Sequence, residues 1–516
     1  MIRSVFILVV VCVSWECFPQ PTIQWQRTFG GSEPDELYSI KQTTDNGYIL
    51  AGFSGSADGD VFFNRGGSDI WLLKLNDTGA IQWKKTYGGS DNDYTQSIIQ
   101  TSDNGYFVAG NSLSNNFDVS GNHGSQDGWA IKLDSLGNLE WEKSFGGSDT
   151  DFFWDAVQCQ DQGYIMVGNS SSIDGDLELN NGGFDVWIVK ISETGTILWQ
   201  KNLGGSGSDR AKKIITTNDG GYMVIAEAGS QDGDVPNSHG GFDFWLIKLS
   251  IDGDIEWQNT YGGEGYDIVT DIVQDQENNY IVCGFVGSDN TGQIGPNHGL
   301  LDYWVIKVSS AGDLIWQNNF GGSGVDYARA IANSNDNGYL IAGSTDSVDG
   351  DVIGNDGGYD FWVVRVNDLG ELVWQQTYGG TKADGCYEIE ATNDHGFVLG
   401  GLTWSDNEGD LIGSSNHGKD DYWVVKFGPE SLGLSSSNSS PLTITPNPSS
   451  SEILLSGIET QGLATITATN IFGQSLLRKQ IAPSETINIS QLPSGIYIIS
   501  VSDKNGKCFI GKMEKI

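Results

Sequence analysis

Hydrophobic and polar residues alternate along most of this chain in short runs, and the runs return at a fixed interval. The first set reads "LYSIKQT", "GYILAGFS", "DIWLLKLN" and "IQWKKTYGG". Aromatic and β-branched residues dominate these runs and no 3.6-residue period shows, so they predict strands, named here a, b, c and d. Turn residues lie between a and b ("TDNG") and between c and d ("NDTG"), which is the chemistry of tight hairpins. A long polar stretch, "GSADGDVFFNRGGSD", joins b to c. Each set therefore predicts a four-stranded antiparallel meander.

The set is written seven times. A Trp followed five residues later by Gly-Gly occurs at Trp25, Trp83, Trp141, Trp199, Trp257, Trp316 and Trp374, a step of 58 residues from Trp25 to Trp83 and nearly constant thereafter. A second series runs Trp71, Trp129, Trp187, Trp245, Trp304, Trp362 and Trp423. One such meander cannot bury both its faces alone, so repetition at this period predicts stacked blades, a β-propeller. The ends discriminate a ring from an open array. The chain enters with a d-type run, "TIQWQRTFGG", and leaves with a c-type run, "DYWVVKFG". Letting the first strand complete the last blade removes two exposed edges at once. The predicted fold class is all-β: a seven-bladed propeller over residues 22–427, closed by its N-terminal strand, followed by a small Ig-like β-sandwich. The double glycine falls where strand d at the rim hands over to strand a at the axis, where positive φ and close approach are expected.

After residue 427 the text changes. Residues 428–440 form a Gly/Ser-rich linker, and residues 441–516 turn basic and branched-aliphatic in short strand-like runs. The repeats resemble bacterial β-propeller repeats of secreted surface proteins. They lack the Gly-His and Trp-Asp pair of WD40 repeats, and their double glycine follows strand d, unlike kelch. The tail is more specific. Pro446-Asn447-Pro448, "NIFGQ" with Gly473, "LPSGIY" with Gly495 and Tyr497, and the basic end with Lys512 and Lys515 resemble the C-terminal sorting domain, type A, of the type IX secretion system. That resemblance implies the secretion machinery as a partner, passage through the periplasm, and delivery to the outer cell surface or the medium.

Composition fits export. The formal charge is −40, from 67 acidic and 27 basic residues, which excludes nucleic acid or an anionic membrane as partner because both need a cationic face. Residues 1–20 read as a signal peptide: Arg3 supplies the positive end and Val5 to Val13 an apolar core too short to span a bilayer. No transmembrane helix is expected in the mature chain. Cys159, Cys283, Cys386 and Cys508 occupy non-equivalent positions, so they read as small buried hydrophobes rather than a disulfide framework.

In a meander the d–a and b–c loops share one face, the top, and long polar loops are where binding residues concentrate. An Asp follows the double glycine in every blade (Asp35 in the first), and another stands two residues before the c-strand Trp (Asp69 in the first). A residue present in every blade reads as architecture, an Asp accepting N–H groups of its own loop. The b–c loops also carry "DGD": Asp58/Asp60, Asp174/Asp176, Asp232/Asp234 and Asp349/Asp351. Carboxylates two apart beside an amide and loop carbonyls suit Ca²⁺, while Asp-Gly serves turns equally well; the two readings stand side by side, with turns favoured and no other cofactor implied. His123, His239, His298 and His417 share one loop position, which predicts a turn that tolerates left-handed backbone rather than a zinc site. A basic residue three after each c-strand Trp, Lys74 in the first blade, predicts an inter-strand brace.

Nucleophile and metalloprotease motifs and the Walker loop are missing. The near-uniform blades predict a non-catalytic secreted or surface propeller that binds a glycan or protein through its top loops, with Trp154 and Trp404 as candidate contacts. The rival is a secreted glycan-active hydrolase or lyase on the same scaffold, which needs irregular charged residues facing the axis.

Overall fold

In the computed structural model the described residues are 21–177, 179–335, 337–355, 357–429, 439–456, 464–470, 475–481, 486–502 and 508–516. The predicted leader, linker residues 430–438 and Gly473 lie outside them. The first blade pairs a (Asp35–Gln42), b (Tyr48–Ser54), c (Asp69–Leu75) and d (Ile81–Tyr87) in that order, all antiparallel. Five more sheets follow the same order. The seventh has a (Asp384–Ala391), b (Phe397–Thr403) and c (Asp421–Phe427), and its fourth strand is Ile23–Phe29 from the other end of the chain, with Thr28 opposite Trp423.

Strand c is buried along its whole length in every blade, because a neighbouring blade covers each of its faces. That is why it reads as a continuous apolar run rather than an alternation. The cores lie between blades, not within them. Ile49, Ala51, Ile70 and Leu72 of the first pack with Val108, Trp129 and Ile131 of the second, and Val398, Tyr422 and Val424 of the seventh pack with Leu37, Ile40 and Leu50 of the first. The seven c-strand Trp are 0–1% exposed, and each such burial contributes about 2–3 kcal/mol. The d-strand Trp latch blade to blade: Trp25 lies on Gly79 of the next c–d turn, where a Cβ would come within 2.8 Å of the ring and φ is +77°.

The conserved polar positions of the repeat are braces. Lys74 Nζ, nearly buried, reaches Asp45 of the a–b hairpin at 2.9 Å, and Lys132, Lys190, Lys248, Lys307 and Lys426 make the same bond to Asp103, Asp161, Asp219, Asp275 and Asp394. Asp35 takes the Gly31 N–H at 2.7 Å and the Ser56 hydroxyl at 2.9 Å; its counterpart in each later blade does likewise, as Asp326 does from Gly322 and Ser347. The second series caps the b–c loop, with Asp127 accepting from the His123 N–H at 2.8 Å.

Two expectations change. Among the first glycines of the double-glycine turns only Gly146 has positive φ. What they share is close approach: a Cβ on Gly30 would fall 2.3 Å from Asp421 Oδ1 and 2.8 Å from Asp35 Oδ2, so a side chain there would sit between two buried carboxylates. The four loop His do not have left-handed backbone either. Their N–H groups and ring nitrogens face the c-strand Asp, as at His298 and Asp302, and the left-handed position is instead in the a–b turn, at Asn46 and His395 among others.

The chain from Glu430 belongs to a separate compact unit. Its sheets run Ser439–Pro441, Cys508–Lys515, Gly495–Ser502, Ala464–Asn470, Ser475–Ile481, and Thr443–Thr445, Glu452–Ser456, Thr486–Asn488. Ile444, Ile453 and Ile487 of the smaller sheet share a core with Ile466, Ile499 and Met513 of the larger, a small two-sheet β domain.

Candidate functional site

Every strand a carries one residue too many for its partner. The register breaks between Leu37 and Ser39, between Thr95 and Ser97, and at the same place in the other five blades. A bulge of this kind re-aims a side chain out of the ladder. The bulged residues are Tyr38, Gln96, Trp154, Lys212, Thr270, Arg329 and Tyr387, and all seven line one cavity of about 340 Å³ at the axis. Here the repeat stops repeating.

Below them the next residue of strand a is Ser39, Ser97, Asp155, Lys213, Asp271, Ala330 or Glu388. Glu388, nearly buried, receives Lys41 at 3.0 Å and Lys213 at 3.7 Å, from blades on different sides of the axis, and Lys213 also lies 3.5 Å from Asp271. Asp155 accepts from the Ser97 hydroxyl at 2.7 Å and the Ile214 N–H at 3.0 Å. Burial, with Glu388 adding to it, raises the Asp271 carboxyl above the usual range against the pull of Lys213. Nearer the mouth the lining is aromatic and basic. Lys212 Nζ lies 4.8 Å from the Trp154 ring and 2.9 Å from Glu227; Tyr38 and Tyr387 have ring centroids 4.8 Å apart.

Of the residues the sequence singled out, Trp154 stands in this cavity, while Trp404 stands apart on the b–c loop of the seventh blade, 47% exposed. The "DGD" carboxylates lie in the b–c loops. Asp58, Asp174, Asp232 and Asp349 accept the N–H of the Ser after the double glycine at 2.7–2.8 Å. Asp176, Asp234 and Asp351 accept the N–H of the first glycine at 3.1–3.3 Å, and Asp60 lies 3.8 Å from Lys84. Among the described residues no group of three or more His, Cys, Asp or Glu side chains is placed to hold a metal ion. Cys159, Cys283 and Cys386 are buried free thiols.

The axial residues other than Trp154 escape a reading that looks for motifs. Their signal is the opposite of a motif: two adjacent positions that change from blade to blade while the framework positions of the repeat do not.

In the C-terminal unit the sorting segments converge on the last strand. Asn447 Nδ2 donates to the Lys512 carbonyl at 2.7 Å and its Oδ1 accepts the Glu514 N–H at 2.8 Å, beside Pro446 and Pro448. Gly495 pairs with Lys515 and Tyr497 with Met513, and the Tyr497 hydroxyl donates to the Pro493 carbonyl at 2.8 Å.

Both parts of the chain have likenesses among known proteins. Residues 443–513 match the secretion system C-terminal sorting domain. The regulatory protein FlaEY of Caulobacter vibrioides is 22% identical over 399 residues, 69% of this chain; the chain spans only 41% of that protein. The solved WD40 domain of Neurospora crassa Pan2 is 9% identical, with 76% of this chain and 89% of that chain covered and a TM-score of 0.41. A Dyadobacter fermentans protein of unknown function is 10% identical, with 80% and 100% covered and a TM-score of 0.41. Sheet order and tail together define an exported β-propeller protein. Its type IX sorting domain directs it to the outer cell surface or the medium, and among the described residues no helix is long and apolar enough to cross a membrane.

Proposed function

We propose that the propeller is a non-catalytic binding module of the cell exterior whose top face takes an extracellular glycan, with a protein partner as the competing outcome. The observation that carries the reading is a set of exposed apolar side chains on the otherwise polar long loops. Phe62, Phe117, Leu179 and Ile412, on the b–c loops of four different blades, are each more than two-thirds exposed, and Trp404 joins them. Large exposed apolar side chains on one face mark an interaction surface, and an exposed Trp suits the apolar face of a sugar. Glycan arrays probed with the purified chain test it: binding that weakens in Trp404→Ala supports the reading, and an empty array beside a stable complex with a surface protein replaces the glycan by a protein.

A second reading, a glycan-active hydrolase or lyase, is favoured by the irregular charges at the axis. Asp155, Asp271 and Glu388 supply carboxylates, and a carboxyl raised by burial is what a proton donor needs. Chromogenic polysaccharides test it, with Asp271→Asn and Glu388→Gln as controls; turnover that both variants abolish would establish it. The export route has its own test. Removal of residues 441–516 should leave a folded propeller retained in the cell envelope, and normal amounts in the medium would overturn it.

A further inference from the structure

The cavity at the axis has a donor, Arg329, that no carboxylate among the described residues answers. The Arg329 guanidinium lies 5.3 Å from the Tyr327 ring centroid, 5.6 Å from Phe285 and 5.7 Å from Tyr387. Among the described residues no carboxylate lies within ion-pairing distance of it. Its basic neighbours are different: Lys212 and Arg210 both face Glu227, at 2.9 and 3.9 Å, and Lys41 and Lys213 share Glu388. The acceptors of the floor are also taken, Asp155 by Ser97 and Ile214 and Glu388 by the two lysines.

The aromatic surround matters to the chemistry. A guanidinium stacked against rings is held without being neutralised, and its edge keeps N–H groups in the planar fork that fits a carboxylate. Across the cavity from Arg329, three blades away, Trp154 offers a half-buried ring, and Tyr38 and Tyr387 add further aromatic surface. A volume of about 340 Å³ is at the small end of ligand pockets. The overall charge of −40 does not forbid an anion here. Exposed surface charges are screened beyond a Debye length of about 10 Å at 0.1 M salt, and at the axis the carboxylates Asp271, Glu388 and Glu227 are matched by Lys41, Lys212 and Lys213, which leaves the Arg329 charge uncommitted.

We propose that the axial cavity is a binding site for a carboxylate-bearing sugar residue, with Arg329 taking the carboxylate and the aromatic wall at Trp154 carrying the ring. The proposal goes beyond the glycan reading above, because it concerns the axis and not the top loops.

The test uses the whole chain and digalacturonate, with its dimethyl ester as the uncharged analogue, titrated by calorimetry. The acid is expected to bind at least about tenfold more tightly than the ester, and Arg329→Gln to remove that preference. Arg329→Lys should recover only part of it, because an ammonium lacks the fork. If the variants do not fold, the salt dependence of the unmodified chain decides: binding of the acid should weaken between low and high salt while that of the ester should not. Equal affinity for acid and ester, or no binding of either, overturns the proposal. Array binding to neutral glycans that Trp404→Ala weakens, with no binding of digalacturonate in the calorimeter, would overturn it while the top-face reading survives. An array with no glycan hit, together with no binding of digalacturonate, would sink both.

Discussion

The frame of the propeller and the lining of its axis are built from the same seven repeats, yet they follow opposite rules. In the frame each blade repeats the same solution: a Trp buried on strand c, an Asp holding the double-glycine turn, a cation braced on strand c. At the axis the bulge carries Tyr38, Gln96, Trp154, Lys212, Thr270, Arg329 and Tyr387 in turn. Frame residues sit between two blades and must satisfy a packing problem that every interface poses alike. The bulged residue faces a cavity, so no shared core restrains it. Symmetry is kept where stability depends on it and is lost where something other than stability selects the residue.

The strongest way to break this contrast is at the ends of the chain. Deleting residues 22–29 removes the fourth strand of the seventh blade and bares the edge beside Trp423, and an unpaired edge with an apolar face templates aggregation. Loss of cooperative unfolding and of the soluble monomer is expected, whereas deletion of one internal 58-residue unit, from one double glycine to the next, keeps every strand type in order and should be milder. A short deletion that melts like the intact chain and stays monomeric would refute the closed frame.

Single frame residues come next. Asp326→Ala strips the acceptor from the buried Gly322 N–H and Ser347 hydroxyl and should cost about 2–4 kcal/mol in chemical denaturation. The equivalent change at Asp209 or Asp267 should cost about as much, as a repeated frame requires; widely scattered values would contradict it. Glu388→Ala at the axis separates Lys41 and Lys213 from their shared partner. Both lysines are only partly buried, so the cost should be smaller, about 2 kcal/mol, and Gln96→Ala or Thr270→Ala should change stability by less than about 1 kcal/mol.

The buried carboxylates make a pH prediction. Burial pushes Asp35, Asp69, Asp185, Asp267 and Asp326 up to about 6 from 3.8, partly offset by the hydrogen bonds each accepts, with a neighbouring carboxylate adding to the rise. A raised folded value means the folded chain holds these protons more tightly. Their contribution is complete below 3.8 and is lost as the pH rises through 6. Opposing them, Asp103 and Asp219 are held at about 2: burial works against ionisation, but bonds from Thr101 or Thr217, from the brace lysine and from a turn N–H outweigh it. Those pairs lose their contribution only as the pH falls from 3.8 through 2. The melting temperature should therefore rise between pH 7 and about pH 5 and fall again below pH 4; a flat profile or a maximum above pH 7 would contradict the buried rings.

The smallest effect concerns the "DGD" loops. With their carboxylates already accepting turn N–H groups, a change from chelator to millimolar calcium should leave the melting temperature unmoved within about 1 °C. A rise with calcium concentration, as mass action requires of a bound ligand, would show that these loops hold the ion.

Much of this molecule was fixed by short-range chemistry. Alternating runs, Asn-Gly turns and a 58-residue period determine strands, hairpins and blade number, because each depends on neighbours a few residues away. The offset between the first d strand and the last c strand likewise contained the pairing of Ile23–Phe29 with Asp421–Phe427. Partners were another matter. That Lys74 takes Asp45, 29 residues earlier, or that Lys41 and Lys213 meet on Glu388, depends on which strands lie side by side. The face of strand a was equally hidden: a bulge adds one residue and reverses the parity of the alternation, so pattern alone assigns Tyr38 or Trp154 to the wrong side. Only the assembled ring turns these seven scattered residues toward one axis, and the cavity arises from that arrangement alone.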